Sequence, residues 1–237
     1  MINVIARIDH LASGGRTVWH RASGLSKLLL AAALIALAVA SPSLGVLAAL
    51  HVTAWALVLS SRVPARVAAV AVVYPIVFVA MFIVASWDGS WRTPALIALR
   101  PLTASLAALW LVATTPYPDL FAPLARVLPR SVGDGLFLTY RALFELIARL
   151  ERLWRAWRVR GGPSGLRRLE AVGEGIGTVV LYGFERSRRQ YATMLLRGHS
   201  GRICGCRHWA EPGPTDLVVA AVGVAVVALA AWGWRTP

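Results

Sequence analysis

Residues 65–85 read ARVAAVAVVYPIVFVAMFIVA, an apolar stretch in which Arg66 is the single charge. A hydrocarbon core about 30 Å thick is crossed by a helix of roughly 20 apolar residues, and this stretch has that length. Its one proline, Pro75, has no N–H and therefore frees a carbonyl one turn earlier. A membrane helix tolerates this when a neighbouring helix supplies a donor. The stretch predicts a transmembrane helix.

Further apolar runs lie on both sides of this one, and each approaches the length of a span. They cover residues 25–40, 44–59, 95–113 and 217–234. The chain is 57% hydrophobic and only 15% charged, whereas soluble domains are about half apolar and a quarter charged. This composition excludes a disordered chain or a disulfide scaffold. We therefore predict an all-α integral membrane bundle of about five spans. A weaker run at 171–182 holds three glycines, and whether it enters the bilayer is left open.

The first run has an alternative interpretation as a cleaved signal peptide. Basic residues precede it, and Ala38-Val39-Ala40 has the small-x-small form of a signal-peptidase site. The preceding segment is long for a signal peptide, however, and it contains Asp9. A retained first span is the favoured interpretation.

The arginines predict the orientation of the spans, because short basic segments beside spans stay on the cytoplasmic side. Of the 25 basic residues, 16 lie between Arg126 and Arg207, and others precede the first span or separate the second from the third. We expect the cell (inner) membrane, with the N-terminus and the arginine-rich segment in the cytoplasm. The predicted domains are 1–116 with four spans, 117–214 as a cytoplasmic or interfacial region, and 215–237 as the last span.

The arginine-rich segment predicts two amphipathic helices from apolar residues at i, i+3, i+4 and i+7 spacing. The apolar stripe of the first helix consists of Leu143, Leu146, Ile147, Leu150, Trp154 and Trp157, and its charged face of Glu145, Arg149, Glu151, Arg152 and Arg158. The second helix has the stripe Phe184, Tyr191, Met194 and Leu195, and the charged side Arg186, Arg188 and Arg189. Such helices are expected to lie along the membrane surface or to pack beneath the bundle.

Each of these helices ends in arginine followed by glycine, at Arg160-Gly161 and at Arg197-Gly198. Glycine is an ordinary C-cap, and arginine suits the negative end of a helix dipole. Taken singly, each ending is therefore explained by capping. As a pair, the two endings are also consistent with matched docking elements.

Residues 184–201, FERSRRQYATMLLRGHSG, resemble the signature of the energy-coupling factor transporter T components, and more narrowly the CbiQ-type subunits of cobalt and nickel uptake systems. The resemblance extends over most of the chain. It includes Ile8-Asp9-His10-Leu11, Lys27-Leu28-Leu29, Thr114-Thr115-Pro116, Asp119-Leu120 and Thr139-Tyr140-Arg141-Ala142-Leu143-Phe144. The chain departs from the family in having Val159 and Leu196 before the two arginines, where the family often has alanine.

The resemblance implies a non-catalytic membrane subunit whose two cytoplasmic coupling helices dock on two ABC-type ATPase subunits. Arg160, Gly161, Arg197 and Gly198 would form the docking ends. A membrane substrate-capture subunit, an S component or a CbiM-like protein, is the third expected partner. Cobalt or nickel is the expected cargo, and the resemblance implies no catalytic residue, cofactor or metal ligand in this chain. The alternatives are a vitamin-type T component, a scaffold without ATPases and a membrane-embedded enzyme.

Other motifs favour different functions less well. Cys204, Cys206 and His208 offer three soft ligands at a spacing that no standard zinc site uses, which favours two thiols in a loop. Gly162-Pro163-Ser164-Gly165 matches the G-x-S-G of intramembrane serine proteases, but no histidine occurs in any later span. The chain has no Walker-type phosphate loop and so is not itself the ATPase. Membrane topology and partner docking explain its arginines better than nucleic-acid binding does.

His51 and Arg100 are ionisable residues that fall within the predicted spans. An ionisable residue inside a membrane is a functional candidate by default, but for His51 we favour a neutral histidine that is hydrogen-bonded between helices. Arg100 is expected near the outer interface, where its long side chain can reach water.

Overall fold

The computed structural model describes residues 12–15, 17–87, 89–161, 167–199 and 213–235. Within these ranges the chain is almost entirely helical and contains no strand. The helices are α1 (Val18–Arg21), α2 (Gly24–Ala40), α3 (Leu44–Ser60), α4 (Ala65–Ala85), α5 (Arg92–Thr114), α6 (Tyr117–Val127), α7 (Arg130–Val159), α8 (Arg167–Leu196) and α9 (Pro214–Arg235).

Every apolar run that was predicted to span the membrane is a helix. By length and composition, α4, α5 and the part of α9 up to Gly233 are able to cross a bilayer. The other two, α2 and α3, are apolar helices of 17 residues each, at the short end of the range that spans. The prediction of an all-α membrane bundle is confirmed.

The described helices divide into two compact units, and the division falls within α6, after Pro123. The first unit, here called the membrane bundle, holds α1 to α5, the start of α6, and α9. The second, here called the hairpin unit, holds the end of α6 with α7 and α8.

The core of the membrane bundle forms around α5, which packs against α2, α3 and α4, while α9 packs against α2 and α3. Large side chains from three of these helices are completely buried there, namely Leu34, Leu47, Leu50, Leu106 and Trp110. By contrast, α4 exposes a broad apolar face, made of Val70, Val73, Tyr74, Val77, Phe78, Met81 and Phe82. Such a face suits contact with lipid, which is as apolar as these side chains.

The structure shows how α4 accommodates its internal proline. Pro75 cannot donate to the carbonyl of Ala71, four residues earlier, because it has no N–H. The hydroxyl of Ser105 on α5 donates to that carbonyl over 2.6 Å. The expectation that a neighbouring helix satisfies the freed carbonyl is confirmed, and the same bond ties α4 to α5.

We expect Ser105→Ala to lower the stability of the bundle by about 1–2 kcal/mol, because it leaves the Ala71 carbonyl without a donor in an apolar environment. The measurement is thermal unfolding of the protein in mild detergent. In a Pro75→Ala background, residue 75 regains an N–H that bonds the same carbonyl, so the Ser105→Ala substitution should cost much less. An equal loss of stability in both backgrounds would contradict the assigned role of Ser105.

His51 has a structural role between α3 and α5. The indole N–H of Trp55 donates to Nε2 of His51 over 3.0 Å, so the histidine must be protonated on Nδ1 to remain neutral. Nδ1 then donates to the hydroxyl oxygen of Thr103 over 3.0 Å. The Thr103 hydroxyl in turn donates to the carbonyl of Leu99. Both ring nitrogens are therefore satisfied, as expected for a neutral histidine between helices.

Candidate functional site

The candidate site is built on α7 and α8, which pack against each other as an antiparallel hairpin. Glu145 of α7 pairs with Arg186 of α8, whereas Trp157, further along α7, lies beside Gly175, an earlier residue of α8. A later residue of α7 therefore contacts an earlier residue of α8, which shows that the two helices are antiparallel. The C-termini of the two helices therefore lie at opposite ends of the hairpin.

The glycine-rich run at 171–182 is part of α8, and one of its glycines is required by the packing. Gly175 is buried, and a Cβ atom there would lie 2.6 Å from Cη2 of Trp157. A Cβ on Gly173 or Gly177 would meet nothing within 4 Å. Gly175 thus allows the indole of α7 to lie directly on the backbone of α8.

Charged side chains also join the two helices. Besides the Glu145–Arg186 ion pair, the guanidinium carbon of Arg149 lies 3.8 Å from the ring centroid of Tyr182, a cation–π contact. Glu145, Arg149 and Arg186 belong to the charged faces predicted from the sequence, and the structure adds that these parts of the two faces meet each other. The periodicity of one helix marks its apolar face, but the charges of a second helix decide which polar residues find partners.

The predicted apolar stripes are largely uncovered within the hairpin unit. The exposed members include Leu143, Leu150 and Trp154 on α7 and Phe184, Tyr191 and Leu195 on α8. The face of α8 that meets α7 consists instead of small and polar residues, among them Gly175 and Arg186. The stripes therefore remain available to a membrane surface or to a partner protein.

Both predicted docking ends have glycine in the left-handed conformation. Gly161 has φ +80° and Gly198 has φ +75°, backbone angles that residues with a Cβ atom rarely adopt. At the end of α8, the N–H of Gly198 bonds the carbonyl of Leu195, and the N–H of His199 bonds that of Met194. This pair of bonds is a Schellman motif, which ends a helix sharply.

The residues around these glycines are turned outward. Arg160 and Arg197 are exposed, and within the described ranges neither guanidinium forms a salt bridge. The aliphatic residues before them are almost fully exposed, Val159 at 87% and Leu196 at 89%. Capping and the helix dipole explain the glycine and the arginine at each end, but they do not explain the exposed aliphatic side chain beside each arginine.

The distance between the two ends follows from helix geometry. Trp157 and Gly175 mark the same level of the hairpin. From that level, Arg160 lies 3 residues further along α7 and Arg197 lies 22 residues further along α8, in the opposite direction. At 1.5 Å per residue, this places Arg160 and Arg197 about 38 Å apart. The two ends are too far apart to enter one small groove together.

Two motifs noted in the sequence, Cys204/Cys206/His208 and Gly162–Gly165, lie outside the residues that the structure describes. Over the described ranges there is no group of three or more His, Cys, Asp or Glu residues placed to hold a metal ion.

Comparison with known proteins relates this chain to cobalt transport proteins. The CbiQ family model, described as cobalt transport protein, matches residues 15–205. The cobalt transport protein CbiQ of Salmonella typhimurium (strain LT2) is 34% identical to this chain over 104 residues. That alignment covers 42% of this chain and 46% of the relative, so it spans less than half of either protein.

Proposed function

Because this chain belongs to the CbiQ family of cobalt transport proteins, we propose that it is the transmembrane T component of an energy-coupling factor transporter. In this role it is a non-catalytic subunit that couples ATP hydrolysis by two ABC-type ATPases to uptake of a metal ion, cobalt or nickel. A substrate-capture subunit binds beside it in the cell membrane. The N-terminus and the hairpin unit lie on the cytoplasmic side.

The observation that carries this proposal is the pair of matching helix ends at Arg160-Gly161 and Arg197-Gly198. Each presents an exposed guanidinium, an exposed aliphatic side chain and a left-handed glycine. A guanidinium makes bidentate bonds to carboxylates or carbonyls and stays charged, and glycine allows a partner backbone to approach closely. Two copies of the same construction suit two copies of one partner.

The separation of about 38 Å supports a two-part ATPase, with each subunit holding one end of the hairpin. ATPase subunits that close around ATP would change the distance between their docking grooves. A hairpin held at both ends converts that change into movement of α7 and α8, a domain motion driven from outside the chain. The packing of Trp157 on Gly175 and the Glu145–Arg186 pair stiffen the hairpin for this purpose.

The experiment that tests the proposal is purification of the tagged protein from its native membranes in mild detergent, with mass spectrometry of the proteins that co-purify. We expect an ABC-type ATPase in stoichiometric amount together with a small membrane protein. Recovery of folded protein without any ATPase would contradict the proposal and favour the scaffold interpretation.

The identity of the cargo is tested on the same complex in proteoliposomes. We expect ATP-dependent accumulation of Co²⁺ or Ni²⁺, measured with radioactive metal, and none in the presence of a non-hydrolysable ATP analogue. Accumulation of a vitamin instead of either metal would retain the T-component role but would overturn the assignment of the cargo.

A further inference from the structure

A polar cluster, in which Lys27 and Thr114 are buried, joins three parts of the membrane bundle at the start of α2. It consists of Ser23, Ser26, Lys27, Thr114, Asp119 and Asp216, and is called here the α2 joint. Lys27, the only lysine in the chain, is 1% exposed, and its Nζ donates to the carbonyl of Thr114 over 2.9 Å. Thr114 is the last residue of α5, so the cation meets the negative end of that helix dipole.

A single carboxylate ties α2 to α9 in this cluster. Oδ1 of Asp216 accepts bonds from the N–H of Ser23 over 2.8 Å and from the hydroxyl of Ser26 over 2.7 Å. Its Oδ2 accepts a bond from the N–H of Gly213 over 2.9 Å. The first turns of two membrane helices, far apart in sequence, thus share one acceptor.

The segment that follows α5 is held in the same place. A Cβ on Gly24 would lie 2.6 Å from the carbonyl oxygen of Asp119, so the backbone of α6 lies directly against the first residue of α2. Lys27 thus ties α2 to the end of α5, the backbone contact at Gly24 brings α2 against α6, and Asp216 ties α2 to the start of α9.

The order of the chain gives this cluster a mechanical role. α6 follows α5 after two residues and leads within a few residues into α7, the first complete helix of the hairpin unit. A displacement of α7 therefore acts through α6 on residues that Lys27 and Gly24 hold. Separating a buried charge from its partner costs much free energy. The bond between Lys27 and the Thr114 carbonyl therefore resists displacement more strongly than an apolar contact does.

We propose that the α2 joint transmits movement of the coupling hairpin to α2 and α9, and that Lys27 is the positioning residue at its centre. This inference rests on the proposed function, because it assumes that ATPases move the hairpin. The α2 joint would be the place where movement of the hairpin first reaches the membrane bundle.

The test compares metal uptake with ATP hydrolysis in the purified complex in proteoliposomes, using Lys27→Met and Gly24→Ala. The first variant removes the cation, and the second wedges a methyl group between α2 and α6. We expect both to retain the ATPases and their ATP hydrolysis, while Co²⁺ or Ni²⁺ accumulated per ATP hydrolysed falls by about tenfold, a typical allosteric coupling factor. Lys27→Arg keeps the cation and is expected to retain more uptake per ATP than Lys27→Met.

Arg100→Gln is the matched control. Arg100 also donates to a carbonyl beside a helix C-terminus, that of Ser41 after α2, over 2.9 Å. Ser41 and Lys27 lie at opposite ends of α2, so this bond is remote from the junction with α6. We expect Arg100→Gln to leave the ratio of uptake to hydrolysis unchanged.

Two results would overturn the inference. One is a wild-type ratio of uptake to hydrolysis in both Lys27→Met and Gly24→Ala. The other is a parallel loss of uptake and hydrolysis in both variants, as a purely structural role predicts. Should the Lys27→Met protein fail to fold in the membrane, the ratio of uptake to hydrolysis in Gly24→Ala decides between the two roles. Failure of the wild-type protein to recruit an ATPase would overturn the proposed function instead, and it is seen before any variant is made.

Discussion

Replacing Arg160 and Arg197 together with alanine is expected to abolish co-purification of the ATPases, while the protein still inserts and folds. Each single replacement is expected to weaken the association by about 2 kcal/mol or more, as truncation of an interfacial arginine commonly does, which is roughly 30-fold. The measurement is the amount of ATPase recovered per molecule of tagged protein. Size-exclusion chromatography of the variants in detergent reports on folding.

The geometry explains why folding should survive these replacements. Both side chains are exposed, and within the described part of the chain neither forms a salt bridge. The helices are stopped by the left-handed glycines that follow, which the variants keep. A loss of ATPase would therefore reflect a lost contact with the partner.

Arg155 and Arg188 provide matched controls for these variants. Both are exposed arginines that lie one turn or more before the last residue of α7 or α8, and their replacement removes the same charge from the same helices. We expect Arg155→Ala with Arg188→Ala to retain nearly all of the ATPase. Equal losses in both double variants would mean that net charge, and not the helix ends, attracts the partner.

Gly175→Leu is expected to disrupt the hairpin. A side chain at this position meets the indole of Trp157 within 2.6 Å at its first carbon, and overpacking of this kind typically costs about 1–3 kcal/mol. Hydrogen exchange of the backbone amides in α7 and α8, followed by mass spectrometry, measures the effect. We expect protection to fall about 10- to 100-fold, since each 1.4 kcal/mol is tenfold.

The flanking glycines make this result specific. A side chain on Gly173 or Gly177 has open space, and replacing glycine inside a helix removes a propensity penalty of up to about 1 kcal/mol. Gly173→Leu and Gly177→Leu should therefore leave protection unchanged or increase it. A uniform loss across all three variants would show that the run needs glycine for another reason than the packing of Trp157.

The sequence predicted the parts of this protein that local physics decides. A run such as 65–85 is recognised as a span because a bilayer demands length and apolarity from each segment by itself. The sequence also predicts that a carbonyl near Pro75 needs a donor from another helix, because proline has no N–H. Ser105 supplies that donor to the Ala71 carbonyl. The sequence likewise predicted that the helices end at Gly161 and Gly198, because glycine commonly ends a helix in the left-handed conformation.

The features that the sequence did not predict are contacts between segments that are distant in sequence. The periodicity of α7 predicts a charged face with Glu145 and Arg149, but it carries no information about their partners Arg186 and Tyr182 on α8. The requirement for glycine at 175, but not at 173 or 177, arises only because an indole from another helix lies there.

The sequence alone thus determined that this is an all-α membrane protein, where its apolar helices lie and where the helices of its hairpin stop. Only the tertiary structure decided that the two arginine–glycine ends point to opposite ends of a hairpin, and that Lys27 is buried against Thr114. The physical reason is that helix formation and membrane insertion depend on residues a few positions apart. A buried charge or a close approach of two backbones depends on which distant segments meet.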